Sequence, residues 1–208
     1  MSEILSQRFS GPAAAIFLPD IDTDTIIPID YCVNRARPDF DVGLFRSWRF
    51  DDEGQENSDF ILNLPAYRSA SILVAGPNFG CGSSREMAVW ALVDFGIRCV
   101  IAPSFGEIFY NNCFQNNLLA AKVSSKSAQA LVDVVTRTTD VSLTIDLQTN
   151  TVSDLASGRY DFELDKLRSD MLLKGLDPIA ASLLLQTDIG AYEQRDARSR
   201  PWAYQVGS

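Results

Sequence analysis

A short segment rich in glycine and serine, with an arginine near its end, is the part of the sequence best suited to chemistry. Residues 80–86 read Gly-Cys-Gly-Ser-Ser-Arg-Glu. They lie between an apolar run at residues 70–75 and a stretch with helical apolar spacing, so the pattern predicts a strand-to-helix turn. Such a turn presents backbone N–H groups and the positive end of a helix to an anion. Arg85 adds a guanidinium that can bind a carboxylate through two hydrogen bonds.

The hydroxyls of Ser83 and Ser84 are weak acids, and either could act as a base only if its alkoxide form were stabilised. Nearby N–H donors, an arginine and the exclusion of water can provide this stabilisation. Each unit by which the pKa falls requires about 1.4 kcal/mol. The competing interpretation is a structural turn, in which one of the two serines caps the helix while Arg85 and Glu86 form a solvated pair. The residue spacing alone leaves both interpretations open.

The composition excludes several kinds of active site. The 208 residues include no histidine, which rules out a Ser-His-Asp or Cys-His mechanism within this chain. The four cysteines form no C-x-x-C pair, so we expect no iron-sulphur cluster or structural zinc bound by this chain. The glycine-rich turn lacks both a third glycine at dinucleotide-binding spacing and a Gly-Lys-Ser/Thr sequence, which disfavours a nucleotide site.

The overall charge also limits the partners. Eighteen basic residues against 27 acidic ones give a formal charge of -9, which opposes general association with nucleic acid or an anionic membrane. No apolar stretch is long enough to span a bilayer, and residues 1–11 lack the pattern of a secretory leader. We therefore expect a cytoplasmic protein whose anionic ligands meet locally concentrated positive charge.

The elements that must position the turn are predicted from hydrophobic periodicity and turn residues. Strands are expected at residues 13–18, 70–75, 99–102 and 118–123, and helices at 85–95, 104–117 and 128–135. The Ser104 to Glu107 spacing is that of a capping box. A strand, a helix and a neighbouring strand of these lengths indicate a right-handed parallel crossover. The predicted fold is therefore α/β, with a short, mostly parallel central sheet flanked by helices.

The C-terminal part is predicted to add peripheral strands and covering helices. Strands are expected at residues 141–147 and 159–164, a helix at 165–174 ending at Gly175, and a further helix with Asp177 as N-cap and Pro178 at its first position. We expect a single domain over residues 1–208. Its core spans about 10–125, its C-terminal extension about 126–195, and its loose tail 196–208.

The turn and several other segments resemble a known family. The matching segments are residues 22–28, 48–50, 59–63, 78–86, 101–105, 109–112, 175–177 and 191–193. Together they are similar, in family order, to the small subunits of isopropylmalate dehydratases, relatives of the aconitase swivelling domain. The resemblance extends over nearly the whole chain.

The resemblance implies both a reaction and a division of labour. It makes Ser83 the proton-abstracting base, assigns Ser84 and Arg85 to a substrate carboxylate, and brings Asp24 toward the site, where a turn-forming role is equally open. It implies a hydro-lyase that interconverts 2-isopropylmalate and 3-isopropylmalate in leucine biosynthesis. A large subunit would carry a [4Fe-4S] cluster and complete a heterodimer or heterotetramer, and residues 31–50 would help to select the side group of the small dicarboxylate.

Four positions, Met87, Val89, Asn117 and Ala120, depart from the family pattern. Met87 and Val89 stand where histidine and proline are common, and methionine can neither carry charge nor donate a hydrogen bond. These departures leave room for a paralogous subunit that serves another 2-hydroxy diacid, of the methylmalate or dimethylmalate type. The chain could instead be a noncatalytic anion-binding module or a cofactor-binding oxidoreductase.

Overall fold

The computed structural model describes residues 5–33, 35–137, 139, 141–154, 158–176 and 178–204. Within these residues, seven strands form a closed barrel in the order β1-β2-β3-β4-β7-β6-β5. The strands are β1 Arg8–Ile16, β2 Ile72–Ala75, β3 Cys99–Ala102, β4 Leu119–Val123, β5 Ser142–Asp146, β6 Thr151–Ser153 and β7 Arg159–Glu163.

One side of the barrel is parallel, as the crossover pattern predicted. Strands β1 to β4 pair in parallel in that order. Every residue of β2 and β3 is fully buried, which agrees with the unbroken apolar runs expected of parallel strands covered on both faces. The predicted β2, β3 and β4 are thus confirmed.

The prediction of a mostly parallel central sheet with peripheral strands is wrong. Strands β5, β6 and β7 are antiparallel members of the same barrel, and they join β4 to β1. The closure is possible because β1 is longer than predicted and pairs on both edges. Its residues Arg8 to Pro12 pair with β5, and its residues Ala13 to Ile16 pair with β2.

The helices of the described part lie between and after the strands. They are α1 Thr23–Ile26, α2 Arg46–Arg49, α3 Glu86–Phe95, α4 Glu107–Gln115, α5 Ser125–Arg137, α6 Lys166–Lys174, α7 Pro178–Leu183 and α8 Gln186–Ser199, with short 3-10 turns at Ile29–Tyr31, Asp41–Gly43, Ile61–Asn63 and Pro201–Tyr204. Helix α5 packs against β1, β2 and β3, and α4 packs against β4. The predicted helices α3, α4 and α5 are confirmed.

The C-terminal helices also follow the sequence signals where these can be compared. Asp165 caps α6 through a hydrogen bond from the Arg168 N–H, and α6 ends at Gly175 in the left-handed conformation. The predicted N-cap Asp177 lies outside the described residues, while Pro178 opens α7 as expected. Helix α8 and the turn after it include residues 196–204 of the predicted tail, and none of these residues is buried.

Among the helices of the described residues, none combines the length and apolarity that crossing a membrane requires.

Candidate active site

Three loops meet at the carboxyl ends of β1, β2 and β3. The loop after β2 forms parallel bridges from Cys81 to Asp22, in the loop after β1, and from Phe79 to Phe105, in the loop after β3. The Gly80 N–H donates to the Ile21 carbonyl at 2.7 Å. Ligands of α/β folds commonly bind outside the carboxyl ends of parallel strands. The predicted turn therefore occupies the end of the barrel where a site is expected.

The backbone of the turn depends on glycine at its closest approach to a neighbouring loop. Gly80 has a φ of +73°, and a Cβ at this position would overlap the ring of Phe109. At Gly106, in the loop after β3, a Cβ would overlap the backbone of Gly80 and Cys81. Two glycines thus allow the two loops to lie backbone to backbone.

Ser83 and Ser84 have exposed side chains at the outer end of the turn. Ser83 lines a surface pocket of about 230 Å³ together with residues 80–82 and 106–109. Neither serine hydroxyl makes a hydrogen bond within the described part of the chain. Both hydroxyls are therefore free to face a bound molecule.

Arg85 is held in place by an acidic residue from another segment. Its guanidinium forms an ion pair with the carboxylate of Asp24, in which Nη1 donates to Oδ1. The Arg85 side chain is only 16% exposed, whereas that of Asp24 is 54% exposed. The predicted site residues Ser83, Ser84, Arg85 and Asp24 are thus brought to one end of the barrel.

Two details of the structural-turn interpretation, a serine cap on α3 and a solvated Arg85–Glu86 pair, are absent from the described residues. The residue that precedes α3 is Arg85, and no side chain caps this helix. Glu86 does not form a solvated pair with Arg85 either, because its Oε1 accepts a hydrogen bond from Nδ2 of Asn116 at 2.8 Å. The predicted capping box at Ser104 is also wrong, since the Ser104 hydroxyl accepts from the Asn78 N–H at 2.8 Å.

Thr23, which the sequence pattern did not reveal as a site residue, ties the turn to α1. Its side chain is 1% exposed, and its hydroxyl donates to the Ser83 carbonyl at 2.7 Å. Its N–H donates to the Cys81 carbonyl at 3.0 Å. In the sequence, Thr23 stands between Asp22 and Asp24. Residues of these types are common in turns, so the pattern did not distinguish Thr23 from an ordinary turn residue.

Asn116, at the end of α4, is a second residue that the sequence pattern did not reveal. It is 8% exposed, accepts from the Trp90 indole N–H at 2.9 Å and donates to Glu86. This buried bridge joins α4 to both ends of the first turn of α3. It fixes the start of the helix that follows Arg85.

The ionisation of the neighbouring groups leaves Arg85 as the main positive charge of the turn. Partial burial raises the pKa of the Cys81 thiol, and the carboxylates of Asp20 and Asp22 raise it further. Hydrogen bonds from the Thr25 side chain and backbone lower the pKa of Asp22. At neutral pH the thiol is therefore protonated and the Asp22 carboxylate is charged.

The remaining site predictions concern the metal and the loop at residues 31–50. In the part of the chain that the structure describes, no three His, Cys, Asp or Glu residues form a group able to hold a metal ion. The loop is anchored through Arg49, whose Nε donates to the side-chain oxygen of Asn63 at 3.2 Å and whose Nη1 donates to the Asp41 carbonyl at 3.0 Å. Met87 packs half-buried against the core.

Comparisons with known proteins identify close relatives. The aconitase C-terminal domain family matches residues 8–126. The 3-isopropylmalate dehydratase small subunit of Brucella canis is 47% identical over 196 residues, which cover 94% of this chain and 98% of the relative. The protein of the same name from Rhizobium johnstonii is also 47% identical over 196 residues, 94% of this chain and 97% of its own. The crystal structure of 3-isopropylmalate dehydratase from Methanocaldococcus jannaschii matches with a TM-score of 0.63 at 26% identity, covering 89% of this chain and 99% of that one.

Proposed function

Since this chain belongs to the aconitase C-terminal domain family and, within it, to the 3-isopropylmalate dehydratase small subunits, we propose that Ser83 is the base of its hydro-lyase reaction. The chain is the small subunit of an enzyme that interconverts 2-isopropylmalate and 3-isopropylmalate in leucine biosynthesis. The observation that carries the role of Ser83 is local. Two exposed hydroxyls and one arginine stand on consecutive residues of a turn that other loops anchor.

Ser83 and Arg85 have complementary tasks in this reaction. The Ser83 oxygen, as an alkoxide, takes the proton from the carbon next to a substrate carboxylate and becomes a hydroxyl, and the electron pair of the broken C–H bond becomes the second bond of the alkene. The hydroxyl of the neighbouring carbon leaves as hydroxide with the electrons of its C–O bond and is released as water once protonated; the cluster of the large subunit would supply the Lewis acid for this departure. The Arg85 guanidinium binds the carboxylate that gains charge during proton removal, and the Ser84 hydroxyl donates a hydrogen bond to it.

Asp24 acts on Arg85 rather than on the substrate. A carboxylate repels a dicarboxylate, so direct binding by Asp24 would be unfavourable. Its ion pair with Nη1 instead orients the guanidinium and leaves the other N–H groups available for the substrate. The pair is partly exposed, and it therefore restricts the arginine without strongly stabilising the fold.

The reaction requires a large subunit. Ser83 and Ser84 are exposed in this chain, whereas an alkoxide base needs a site from which water is excluded. A small subunit has a large-subunit partner, in a heterodimer or heterotetramer, and the partner closes over the carboxyl ends of β1 to β3. The proposal assigns the [4Fe-4S] cluster to the large subunit, as the family resemblance implies. The proposed location of the complex is the cytoplasm.

The test is the replacement of Ser83 by alanine in the assembled enzyme. With the cluster-loaded large subunit under anaerobic conditions, alkene formation from 2-isopropylmalate is followed by its absorbance. We expect Ser83→Ala to lower kcat by about 10³-fold or more, because loss of a catalytic group that reacts in the transition state has an effect of this order. The matched control is Ser125→Ala, which removes an exposed hydroxyl at the start of α5.

The outcomes separate three interpretations. Loss of activity in the Ser83 variant alone, with assembly intact, supports the serine base. Full activity of Ser83→Ala would remove that role. Inactivity of the wild-type complex on 2-isopropylmalate, with activity on methylmalate or dimethylmalate, would indicate a paralogue for another diacid.

A further inference from the structure

We propose that the Thr23 hydroxyl is a positioning group for Ser83, an inference that rests on the proposed role of Ser83 as the base. Thr23 begins α1 and is 1% exposed. Its hydroxyl donates to the Ser83 carbonyl at 2.7 Å, although the two residues are 60 positions apart in the chain. A buried hydroxyl donor is thus devoted to the backbone of the residue whose side chain performs the chemistry.

Thr23 holds the turn at two points, one on each side of its most adaptable residue. The Thr23 N–H donates to the Cys81 carbonyl, and its hydroxyl donates to the Ser83 carbonyl. Between these carbonyls lies Gly82, which has a φ of +84°. Glycine loses more conformational freedom on folding than other residues. Two hydrogen bonds from one residue therefore fix a backbone segment that would otherwise sample several orientations.

The two hydrogen bonds from Thr23 matter for the base because, in the part of the chain that the structure describes, no other hydrogen bond orients Ser83. Its side chain is exposed, and its hydroxyl makes no hydrogen bond within the described residues. Once the Ser83 carbonyl is fixed, rotation about χ1 is the main freedom left to Oγ. The position of a catalytic group is critical, since a displacement of about 1 Å can lower the rate by about 10²-fold.

The contact of Thr23 differs in kind from the ion pair of its neighbour. Asp24 reaches Arg85 through a charged contact at 54% exposure on the aspartate side, so salt and water weaken it. The Thr23 bond is neutral and its donor is buried, so its strength depends little on ionic strength. The two neighbours therefore have separate roles: Asp24 orients the Arg85 guanidinium, which binds the carboxylate, and Thr23 orients Ser83, the base.

The experiment compares four variants in the complete complex with the large subunit. Thr23→Val keeps the shape and removes the donor, Thr23→Ser keeps the hydroxyl, and Thr23→Cys provides a weak donor. The matched control is Thr25→Val, which removes a hydroxyl that helps to lower the pKa of Asp22, the N-cap of the same helix. Within the described residues, no hydrogen bond joins this hydroxyl to the turn. Measured quantities are kcat, KM, the thermal midpoint and assembly.

We expect Thr23→Val to lower kcat by roughly 10- to 100-fold while KM changes by less than about threefold, because carboxylate binding resides elsewhere. Thr23→Ser should retain kcat, Thr23→Cys should be intermediate, and Thr25→Val should retain kcat despite a lower thermal midpoint. This order does not follow from a loss of stability alone. If the valine variant does not assemble, the comparison rests on Thr23→Ser and Thr23→Cys. A lower kcat for the cysteine variant at equal KM would then support the positioning role.

Three results would overturn the inference. These are an unchanged kcat in Thr23→Val, equal kcat in Thr23→Ser and Thr23→Cys when the valine variant cannot be assembled, or a rise in KM that accounts for the whole loss. Failure of the proposed function is recognised separately, by full activity of Ser83→Ala. An inactive Ser83→Ala together with a fully active Thr23→Val rejects the positioning role and leaves the serine base in place.

Discussion

The turn between β2 and α3 and the helix α8 both lie on the surface, yet they are held in opposite ways. The turn is irregular, but hydrogen bonds from the loops after β1 and β3 attach its backbone at residues 78–83. Helix α8 is regular over 14 residues and has no buried residue. Regular secondary structure and attachment to the core are therefore separate properties. The candidate site lies on the irregular backbone of the turn, which hydrogen bonds attach to neighbouring loops, and not on the regular helix.

The side chains of the two regions show the same contrast. The turn exposes small polar groups on a backbone that hydrogen bonds attach to other loops. The C-terminal segment leaves large apolar side chains in water, namely Ile179, Leu183, Leu184, Leu185, Ile189, Tyr192, Trp202 and Tyr204. Apolar burial is the main source of stability in a folded chain. The barrel and its turn should therefore unfold together, while α8 should contribute little to the free energy of unfolding.

The largest difference is expected when one methyl group is added against the turn and another in α8. Gly106→Ala places a Cβ against the backbone of Gly80 and Cys81, which cannot rotate away, so we expect a loss of about 1–3 kcal/mol in unfolding free energy. Gly190→Ala, in α8, meets nothing within 4 Å, and we expect a gain in helicity with a local stabilisation of at most about 1 kcal/mol. Urea denaturation and circular dichroism measure the two effects. Equal effects of the same sign would contradict the contrast.

A smaller effect is expected from the carboxylate that caps α1. Asp22 accepts from the Thr25 N–H at 2.7 Å, and the Thr25 hydrogen bonds lower its pKa below the ordinary value of 3.8. Because the folded pKa is lowered, this stabilisation is present above the unfolded pKa and is lost as the pH falls through the folded one. We expect Asp22→Ala to cost at most about 1 kcal/mol at pH 7, since the group is partly exposed to water.

Urea midpoints measured between pH 7 and pH 3 test this dependence. The control is Asp22→Asn, because asparagine also caps helices but does not titrate in this range. The difference between wild type and Asp22→Asn should therefore diminish as the medium becomes acidic. A difference that stays constant with pH would show that the charge of Asp22 does not stabilise the α1 segment.

The smallest effect is expected from removing α8. A chain that ends at residue 185 loses no residue that is buried in the described part. We expect its free energy of unfolding, measured by urea denaturation, to differ from that of the full chain by no more than about 0.5 kcal/mol, as for other surface changes. Truncation of a fully buried side chain should cost more, as Leu172→Ala in α6 should show with a loss of about 2–5 kcal/mol. A large loss on truncation would mean that α8 is attached as firmly as the turn.

The part of the fold that could be predicted from the sequence is the part made by neighbours in the chain. The run from β2 through the glycine-rich turn to α3 and β3 was predicted because apolar periodicity and glycine act over a few residues. Gly96 and Gly175 ended their helices as expected, both in the left-handed conformation. These features depend on local backbone preferences, which a sequence carries directly.

The closure of the barrel could not be predicted in the same way. It depends on which distant strands reach each other, and β1 was predicted too short because Gly11 and Pro12 interrupt its apolar pattern. In the barrel these residues belong to the segment that pairs with β5. Local sequence patterns do not show which distant strands will pair. For this reason β5 and β7 were predicted as peripheral strands although they belong to the barrel.

The candidate site shows the same division. Residue identity alone shows which groups are available for chemistry: Ser83, Ser84 and Arg85 on adjacent residues, with no histidine to act as a base. The contacts of Asp24 with Arg85 and of Thr23 with the Ser83 backbone are visible only in the folded chain. A side chain's chemistry belongs to its residue type, whereas its direction depends on hydrogen bonds from loops some 60 residues away.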